Sequence, residues 1–257
     1  MAWLRRPDGC RLYHEIHGPL DAPPLVLLEG MGGDVPGWRR NIPHLAERLL
    51  VVAYDFRGNG MSDAPDQPMT MSTFVDDTVA LLDHLGIERA HVYGQSFGGM
   101  VAQELALVNP QRVRTLVLAC THPGIAHAVR SSTAVPEEEP WRQLYSPRFP
   151  DEHPEQVADD LRVGSLDPQA AHAGRRQWEA MRGFDAYDRL GGIRMPTLVL
   201  HGTDDLMVPV ENAGILAERI PGAELTLLEG AGHLYHSERP EEADASVLDF
   251  IGRHADA

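Results

Sequence analysis

Ser96 lies between two glycines, Gly94 and Gly98, each two residues away. A short strand-like segment, residues 90–93, precedes the serine, and apolar residues at helical spacing follow it. This arrangement is typical of a nucleophile elbow, in which a strained strand-to-helix turn presents a serine hydroxyl and the glycines allow close packing. An ordinary strand–turn–helix connection that contains a hydroxyl group would have the same pattern.

A serine hydroxyl is a poor nucleophile at neutral pH, and the chain offers an acid and a base that could activate it. Asp204 and Asp205 follow one apolar segment, and His233 follows the next. An imidazole can take the serine proton, and a carboxylate can stabilise the resulting imidazolium. The order serine, aspartate, histidine is the one expected on a doubly wound sheet. We therefore predict that loops at the carboxyl ends of three strands bring these groups together.

The elements that must position these residues alternate between strand and helix. Apolar strand-like runs occur at residues 25–28, 50–55, 90–93, 113–119, 196–201 and 223–228. Helical patterns occur at residues 38–49, 71–85, 100–107, 211–220 and 240–252, with Ser72 as the expected N-cap of the second. An Asp-Gly turn at residues 8–9 predicts a β-hairpin at the sheet edge. This alternation predicts a mostly parallel sheet covered by helices.

Residues 122–190 break this alternation. They contain several prolines, an acidic run at 137–139 and amphipathic segments around Trp141, Val157 and Trp178. We expect a helical cap inserted after the sixth strand, so that residues 1–121 and 191–257 form the core and residues 122–190 the cap. Large side chains of the cap are candidates for a pocket wall, although packing between cap and core is the more common role for any one of them. These candidates are Trp141, Tyr145, Phe149, Trp178 and Met181.

The composition limits the classes of partner and compartment. The chain has 257 residues and a formal net charge of −16, which argues against nucleic acid and anionic membrane surfaces and is compatible with a small-molecule substrate. No segment approaches the roughly 20 apolar residues of a membrane span. The charged N-terminus is not followed by an apolar stretch, so we expect no signal peptide and a cytoplasmic location. The sequence is compatible with a homo-oligomer and does not determine the oligomeric state.

Cysteine and histidine side chains can bind metal ions, and the chain has two cysteines and thirteen histidines. Without a secretory signal or a cysteine framework, Cys10 and Cys120 are expected to be reduced thiols. None of the histidines falls in a recognised metal-binding spacing. We therefore expect no metal and no cofactor.

Five motifs in order give the sequence a resemblance to the α/β-hydrolase superfamily over nearly its whole length. They are residues 29–33, 55–63, 94–98, 202–209 and 232–233. The elbow and the Arg-Gly-x-Gly-x-Ser-Asp turn at 57–63 are loosely most similar to 3-oxoadipate enol-lactonases and related small esterases. The resemblance implies an α/β-hydrolase fold with a Ser–Asp–His catalytic triad.

The same resemblance implies a role for individual residues. The superfamily pattern Gly-x-x-Asp-x-x-x-Pro falls on Asp205 and not on Asp204, so Asp205 is the expected acid beside Ser96 and His233. The motif spacing implies that the backbone N–H groups of Met31 and Phe97 form the oxyanion hole. The glycine-rich segment that contains Met31 follows a predicted central strand, where free amides can face a ligand.

Glu29 departs from the family pattern, which usually has histidine before the oxyanion glycine. A carboxylate aimed into an oxyanion hole would oppose the developing charge, so we expect Glu29 to point away or to pair with an arginine such as Arg57. Gly30 and His122 are further candidates for the pocket wall. A structural role is expected for His201, and a packed or solvated position for His236, one turn beyond His233.

Three functions fit the sequence. The first is a serine hydrolase that cleaves a carboxylic ester, lactone or thioester through an acyl-enzyme on Ser96. The second uses the same triad for C–C bond hydrolysis, lyase, cyclase or cofactor-free haloperoxidase/perhydrolase chemistry, because fold does not determine reaction. The third is a ligand-binding module with little turnover. Serine at position 96 argues against the acid-nucleophile haloalkane dehalogenases and epoxide hydrolases.

Overall fold

Eight strands form one sheet in the computed structural model, which describes residues 2–255. The strands are β1 (Ala2–Arg5), β2 (Arg11–His17), β3 (Pro24–Leu28), β4 (Leu50–Tyr54), β5 (Ala90–Gln95), β6 (Val113–Ala119), β7 (Thr197–Gly202) and β8 (Glu224–Leu228). Their order in the sheet is β1-β2-β4-β3-β5-β6-β7-β8. The β1–β2 hairpin and the β2–β4 pair are antiparallel, and the remaining pairs are parallel. The mostly parallel sheet expected from the sequence is confirmed.

Helices cover both faces of this sheet. They are α1 (Ile42–Leu45), α2 (Met71–His84), α3 (Phe97–Val108), α4 (Phe149–Glu152), α5 (Pro154–Gly164), α6 (Ala171–Arg182), α7 (Glu211–Arg219), α8 (Tyr235–Glu238) and α9 (Pro240–Arg253). Among residues 2–255, none of these helices combines the length and the apolarity that a membrane span requires.

Alternate residues along each strand supply two separate apolar cores. On β3, Val26 and Leu28 pack on one face, in a cluster with α2, α3 and α7. Leu25 and Leu27 point to the other face and pack with α1 and α9. This alternation follows from the two-residue repeat of a strand and accounts for the uninterrupted apolar runs in the sequence.

Two local predictions differ from the structure. The expected helix at 38–49 is replaced by a 3₁₀ turn, Val35–Trp38, and the four-residue α1. Pro43 explains the difference, because its ring would clash with the carbonyl group four residues earlier in a continuous helix. Helix α2 begins after Thr70 and not after Ser72. The Thr70 backbone is extended and its N–H donates to Thr73 Oγ1 at 3.1 Å, so Ser72 already lies inside the helix.

The insertion expected after the sixth strand is confirmed. Between β6 and β7 the chain forms α4, α5 and α6 and two 3₁₀ helices, Pro140–Leu144 and Tyr187–Gly192. The end of the insertion also enters the core, because Phe184 and Leu190 pack in the same cluster as α2 and α3. The division into a core of residues 1–121 and 191–257 and a cap of residues 122–190 stays a prediction. Cys10 and Cys120 are buried free thiols.

A close contact between α3 and two strands fixes the turn after β5. A Cβ atom at Gly98 would lie 2.0 Å from the Leu28 carbonyl oxygen, and one at Gly94 would lie 2.4 Å from the Gly98 carbonyl oxygen. Both distances are far below van der Waals contact. Only glycine therefore fits at these positions without movement of the backbone.

We predict that Gly98→Ala lowers the free energy of unfolding by at least about 2 kcal/mol, because backbone atoms and not flexible side chains block the new methyl group. Gly214→Ala is the matched control, since that helical position has open space around its Cα. It should raise stability by about 0.5–1 kcal/mol. Urea denaturation of both variants measures the difference, and equal effects at the two sites would contradict the packing argument.

Candidate active site

Ser96 has a backbone conformation that non-glycine residues rarely adopt. Its φ is 53° and its ψ is −115°. Such a conformation costs about 1–3 kcal/mol and persists only where neighbouring contacts impose it. Here the Ser96 N–H donates to the Ala119 carbonyl at 2.8 Å, and Thr121 Oγ1 donates to the Ser96 carbonyl at 2.7 Å. The turn therefore has the geometry expected of a nucleophile elbow.

His233 and Asp205 form a buried hydrogen-bonded pair. His233 Nδ1 lies 2.8 Å from Asp205 Oδ2, while Oδ1 accepts the N–H groups of Met207 at 2.9 Å and Val208 at 2.8 Å. Burial alone would raise the pKa of Asp205, but the His233 imidazole and hydrogen bonds from His201 and His233 outweigh it. The pKa of Asp205 is consequently held well below its usual value. The acid stays ionised beside the imidazole.

The structure distinguishes the two neighbouring aspartates. Asp205 is buried against His233, whereas Asp204 is exposed and its carboxylate lies 3.4 Å from the Thr203 hydroxyl. Only Asp205 therefore has the position that the sequence pattern predicts for the acid. On the elbow side, Gln95 Nε2 donates to the His233 carbonyl at 3.3 Å and connects the elbow strand to the histidine loop.

A structural role was expected for His201, and the structure shows which contacts it makes. Its Nε2 lies 2.8 Å from the Val208 carbonyl oxygen and 3.4 Å from Asp205 Oδ2. Because the Val208 N–H also donates to Asp205, His201 helps to close the loop that carries the acid. The only sequence signal for this role is a histidine at the strand end, four residues before Asp205.

Cys120 is a second neighbour of the acid that sequence reasoning missed. It has a positive φ of 45°, and its Sγ, a carboxylate oxygen of Asp205 and a ring nitrogen of His233 lie within 4.8 Å of one another. These atom types could hold a metal ion. However, the Asp205–His233 hydrogen bond already engages two of them, and burial raises the pKa of the Cys120 thiol well above its usual value. The geometry therefore favours a hydrogen-bonded acid–imidazole pair over a metal centre.

The glycine-rich loop after β3 lies directly against the elbow. A Cβ atom on Gly30 would be 3.5 Å from Ser96 Cβ. Within residues 2–255, the structure shows no hydrogen bond from the N–H of Met31 or of Phe97 to another group. Phe97 is the first residue of α3, where the helix dipole favours negative charge. The assignment of the Met31 and Phe97 N–H groups as oxyanion donors stays a prediction, and this arrangement is compatible with it.

Glu29 is buried under this loop. Its Oε1 accepts the Gly30 N–H at 2.9 Å, and a Cβ atom on Gly33 would lie 2.4 Å from its Cγ. Burial raises the pKa of Glu29 to about 7; the Gly30 N–H opposes this shift and the Asp34 carboxylate adds to it. Within the described part of the chain, Glu29 Oε2 has no hydrogen-bond partner.

Of the two alternatives expected for Glu29, the pairing with Arg57 is wrong. Arg57 Nε and Nη2 instead contact the two carboxylate oxygens of Asp77 at 2.6 and 2.7 Å, and Nη1 contacts Asp8 at 2.9 Å. This two-pronged contact matches the planar guanidinium to the carboxylate of a buried helical residue. Arg57 therefore ties its loop to α2 and not to the candidate active site.

Ser96, His233 and Glu29 line a cleft of about 1460 Å³. Predicted site residues that line it are Ser96, His233, Glu29, Gly30, Met31, Phe97, His122, Tyr145, Trp178 and Met181. Trp141 and Phe149 are not among the lining residues, and the structure shows the other role expected for them, which is packing. Both rings pack on Tyr145, with centroids 6.3 and 5.7 Å from it, so they form the small apolar core of the cap.

Two further histidines border the cleft as neutral side chains. Burial lowers the pKa of His122 to about 4, and its Nδ1 accepts the Gly124 N–H at 3.2 Å. Burial lowers the pKa of His236 to about 3, and its ring lies 5.0 Å from that of Trp38. His236 is thus packed, as one of the two expectations had it, and also lines the cleft.

Comparison with known proteins agrees with this geometry. Residues 23–167 and 167–240 match a family described as alpha/beta hydrolase fold. A putative carbamate hydrolase RutD of Azorhizobium caulinodans is 33% identical, over 94% of this chain and 95% of that protein. A hydrolase from Pseudomonas aeruginosa PA01 superposes with a TM-score of 0.87 at 31% identity, over 98% of each chain. An enol-lactonase from Burkholderia xenovorans LB400 superposes with a TM-score of 0.86 at 27% identity, over 98% and 100%.

The raised pKa of Glu29 predicts a pH-dependent stability difference. A glutamate in the unfolded chain ionises near its ordinary pKa of 4.5, but the folded side chain resists ionisation up to about 7. The cost of this charge is absent well below pH 4.5, grows between these values and is complete above pH 7. Relative to the wild type, the unfolding free energy of Glu29→Gln should therefore rise by about 2 kcal/mol between about pH 5 and pH 8.

Urea denaturation at the two pH values measures this difference. Glu218→Gln, at an exposed position on α7, removes the same charge and should show little pH dependence. If the unfolding free energies of the two variants respond alike to pH, the pKa of Glu29 is not raised by burial.

Proposed function

This chain belongs to the α/β-hydrolase family, and from that membership we propose that it is a serine hydrolase of a small-molecule carboxylic ester, lactone or thioester. The observation that carries the proposal is the short contact of ionised Asp205 with Nδ1 of His233, a residue that lines the same cleft as the strained Ser96. A buried acid–imidazole pair beside a nucleophile is the arrangement that activates a hydroxyl group.

The proposed reaction begins when Ser96 Oγ attacks the substrate carbonyl and its proton passes to His233. Asp205 stabilises the imidazolium that forms, and the N–H groups of Met31 and Phe97 stabilise the negative oxygen. The tetrahedral intermediate collapses, and the leaving alcohol, enol or thiol takes the proton from His233. Water then attacks the acyl-enzyme with His233 as base, which releases the acid and restores Ser96.

The charge distribution supports this division of roles. Asp205 is ionised in the usual pH range, because hydrogen bonds engage both of its oxygens. The other histidines of the cleft are poorer candidates for the base. His122 is neutral and its Nδ1 is engaged by a backbone amide, while the ring of His236 packs against Trp38.

The names of the relatives support hydrolysis without fixing the substrate. One relative is called a putative carbamate hydrolase and a structural neighbour an enol-lactonase, so a carbamate and an enol-lactone belong in the first substrate panel. The alternative chemistry on the same triad was motivated by Glu29. That carboxyl group is engaged with the Gly30 amide and tends to the neutral form, which is compatible with ordinary ester hydrolysis.

We predict that Ser96→Ala and His233→Ala each lower kcat for a p-nitrophenyl ester by at least about 10³-fold. The double variant should be no worse than the more severe single one, since the two residues act as a unit. Ser246→Ala, which removes a serine hydroxyl on α9, should retain wild-type kcat. Steady-state kinetics measure these values, and a Ser96→Ala enzyme within about tenfold of the wild type would refute the mechanism.

A further inference from the structure

Three apolar side chains border the cleft yet remain substantially exposed. Val129 follows β6, Leu161 lies on α5 and Trp178 lies on α6, and their exposed fractions are 40%, 38% and 50%. We call these residues the apolar rim. Single exposed apolar residues are ordinary on protein surfaces, but three around one cleft opening are typical of a binding surface.

Partly buried hydrogen bonds hold two of these segments in place. The backbone N–H and carbonyl of Val129 both bond the side chain of Asn212, each at 2.9 Å, and Asn212 is fully buried. Asp160, which precedes Leu161, accepts Ser237 Oγ at 2.6 Å. The rim residues are therefore adjacent to anchored positions, and their exposure is part of the ordered structure.

The third segment is anchored in the same way. Gln177, which precedes Trp178, is fully buried and donates to Asn59 Oδ1 at 2.7 Å and to the Arg57 carbonyl at 3.1 Å. This contact ties α6 to the loop after β4. Trp178 is thus held at the opening by the residue before it.

The polar groups inside the cleft are mostly engaged with the protein itself. Glu29 binds the Gly30 amide, and Arg39 pairs with Asp159 at 2.9 Å. The remaining wall is rich in apolar side chains. These are Met31, Phe97, Met100, Ile125, Leu144, Met207, Val208 and Leu234. Apart from the groups assigned to catalysis and the exposed Arg130 and Arg182, the cleft therefore offers a substrate a mostly apolar wall.

We propose that the substrate is an ester or lactone with an extended alkyl chain or an equally large apolar group, which lies along the cleft and reaches the apolar rim. This inference rests on the proposed serine hydrolase function and adds the substrate class. The cleft volume of about 1460 Å³ exceeds the usual range for small-ligand pockets, about 300–1,000 Å³. Each fully buried methylene group can improve kcat/KM by about fourfold.

The test compares short and long substrates. We expect kcat/KM of p-nitrophenyl octanoate over p-nitrophenyl acetate, or of octyl acetate over ethyl acetate, to be at least about 20-fold. A smaller ratio in both series overturns the inference. If the esters are hydrolysed in a Ser96-dependent reaction but both ratios are small, the proposed function stands and only the substrate class fails.

Two exposed arginines at the same cleft, Arg130 and Arg182, define the competing outcome. They could favour a chain that ends in a carboxylate. The p-nitrophenyl monoester of suberic acid has the same chain length as the octanoate and a terminal charge. We expect it to be the poorer substrate, and a higher kcat/KM for the charged ester overturns the inference.

Substitutions test whether the apolar rim causes the preference for long substrates. Trp178→Ser and Leu161→Ser should each reduce the octanoate-to-acetate ratio at least about threefold. Leu225→Ser, at a leucine on the edge strand β8 that is 44% exposed, should leave the ratio unchanged. An unchanged ratio in both rim variants overturns the role of the rim.

A binding measurement tests the inference without turnover. We expect 2-octanone to raise the melting temperature of the wild type and acetone at the same concentration not to do so. Trp178→Ser should abolish this shift. Equal shifts with the two ketones overturn the inference, whereas a selective shift without ester hydrolysis would mean that the cleft is apolar and that the proposed function has failed.

Discussion

The strained backbone of Ser96 is the constraint on which the site depends. Its φ of 53° persists because α3 packs so closely on β3 and β5 that only glycine fits at positions 94 and 98. The same contact places the start of α3 beside the serine, so the proposed nucleophile and the Phe97 amide, a proposed oxyanion donor, come from adjacent residues. Core packing and site geometry are therefore inseparable here, and the strain is balanced by the burial of an apolar helix.

Two buried carboxyl groups of the candidate active site, Asp205 and Glu29, differ in their tendency to ionise, and their hydrogen-bond partners explain the difference. Asp205 receives two backbone N–H groups and the His233 ring, so its charged form is stabilised despite burial. Glu29 has one backbone partner and an oxygen without any among residues 2–255, so burial dominates and favours its neutral form. The negative charge is consequently concentrated where an imidazolium would form, and it is reduced beside the predicted oxyanion hole.

The sequence predicted those features that local patterns determine. Apolar runs revealed the parallel sheet, and glycine spacing at the elbow and the Gly-x-x-Asp pattern located Ser96 and chose Asp205 over Asp204. It failed where tertiary placement decides. The partner of Arg57 is a helical aspartate whose register no short motif encodes. For Trp141 the sequence left a pocket wall and packing open, and the structure shows packing on Tyr145. The contact between His201 and Asp205 was not predicted for the same reason, although a structural role was expected for His201.

Pre-steady-state kinetics with p-nitrophenyl acetate, combined with mass spectrometry of the quenched protein, test the central claim most directly. The account predicts a stoichiometric burst of p-nitrophenol and one acetyl group on the peptide that contains Ser96, both absent from Ser96→Ala. Turnover without an adduct, or an acetyl group that remains in Ser96→Ala, would contradict the assignment of Ser96 as the nucleophile.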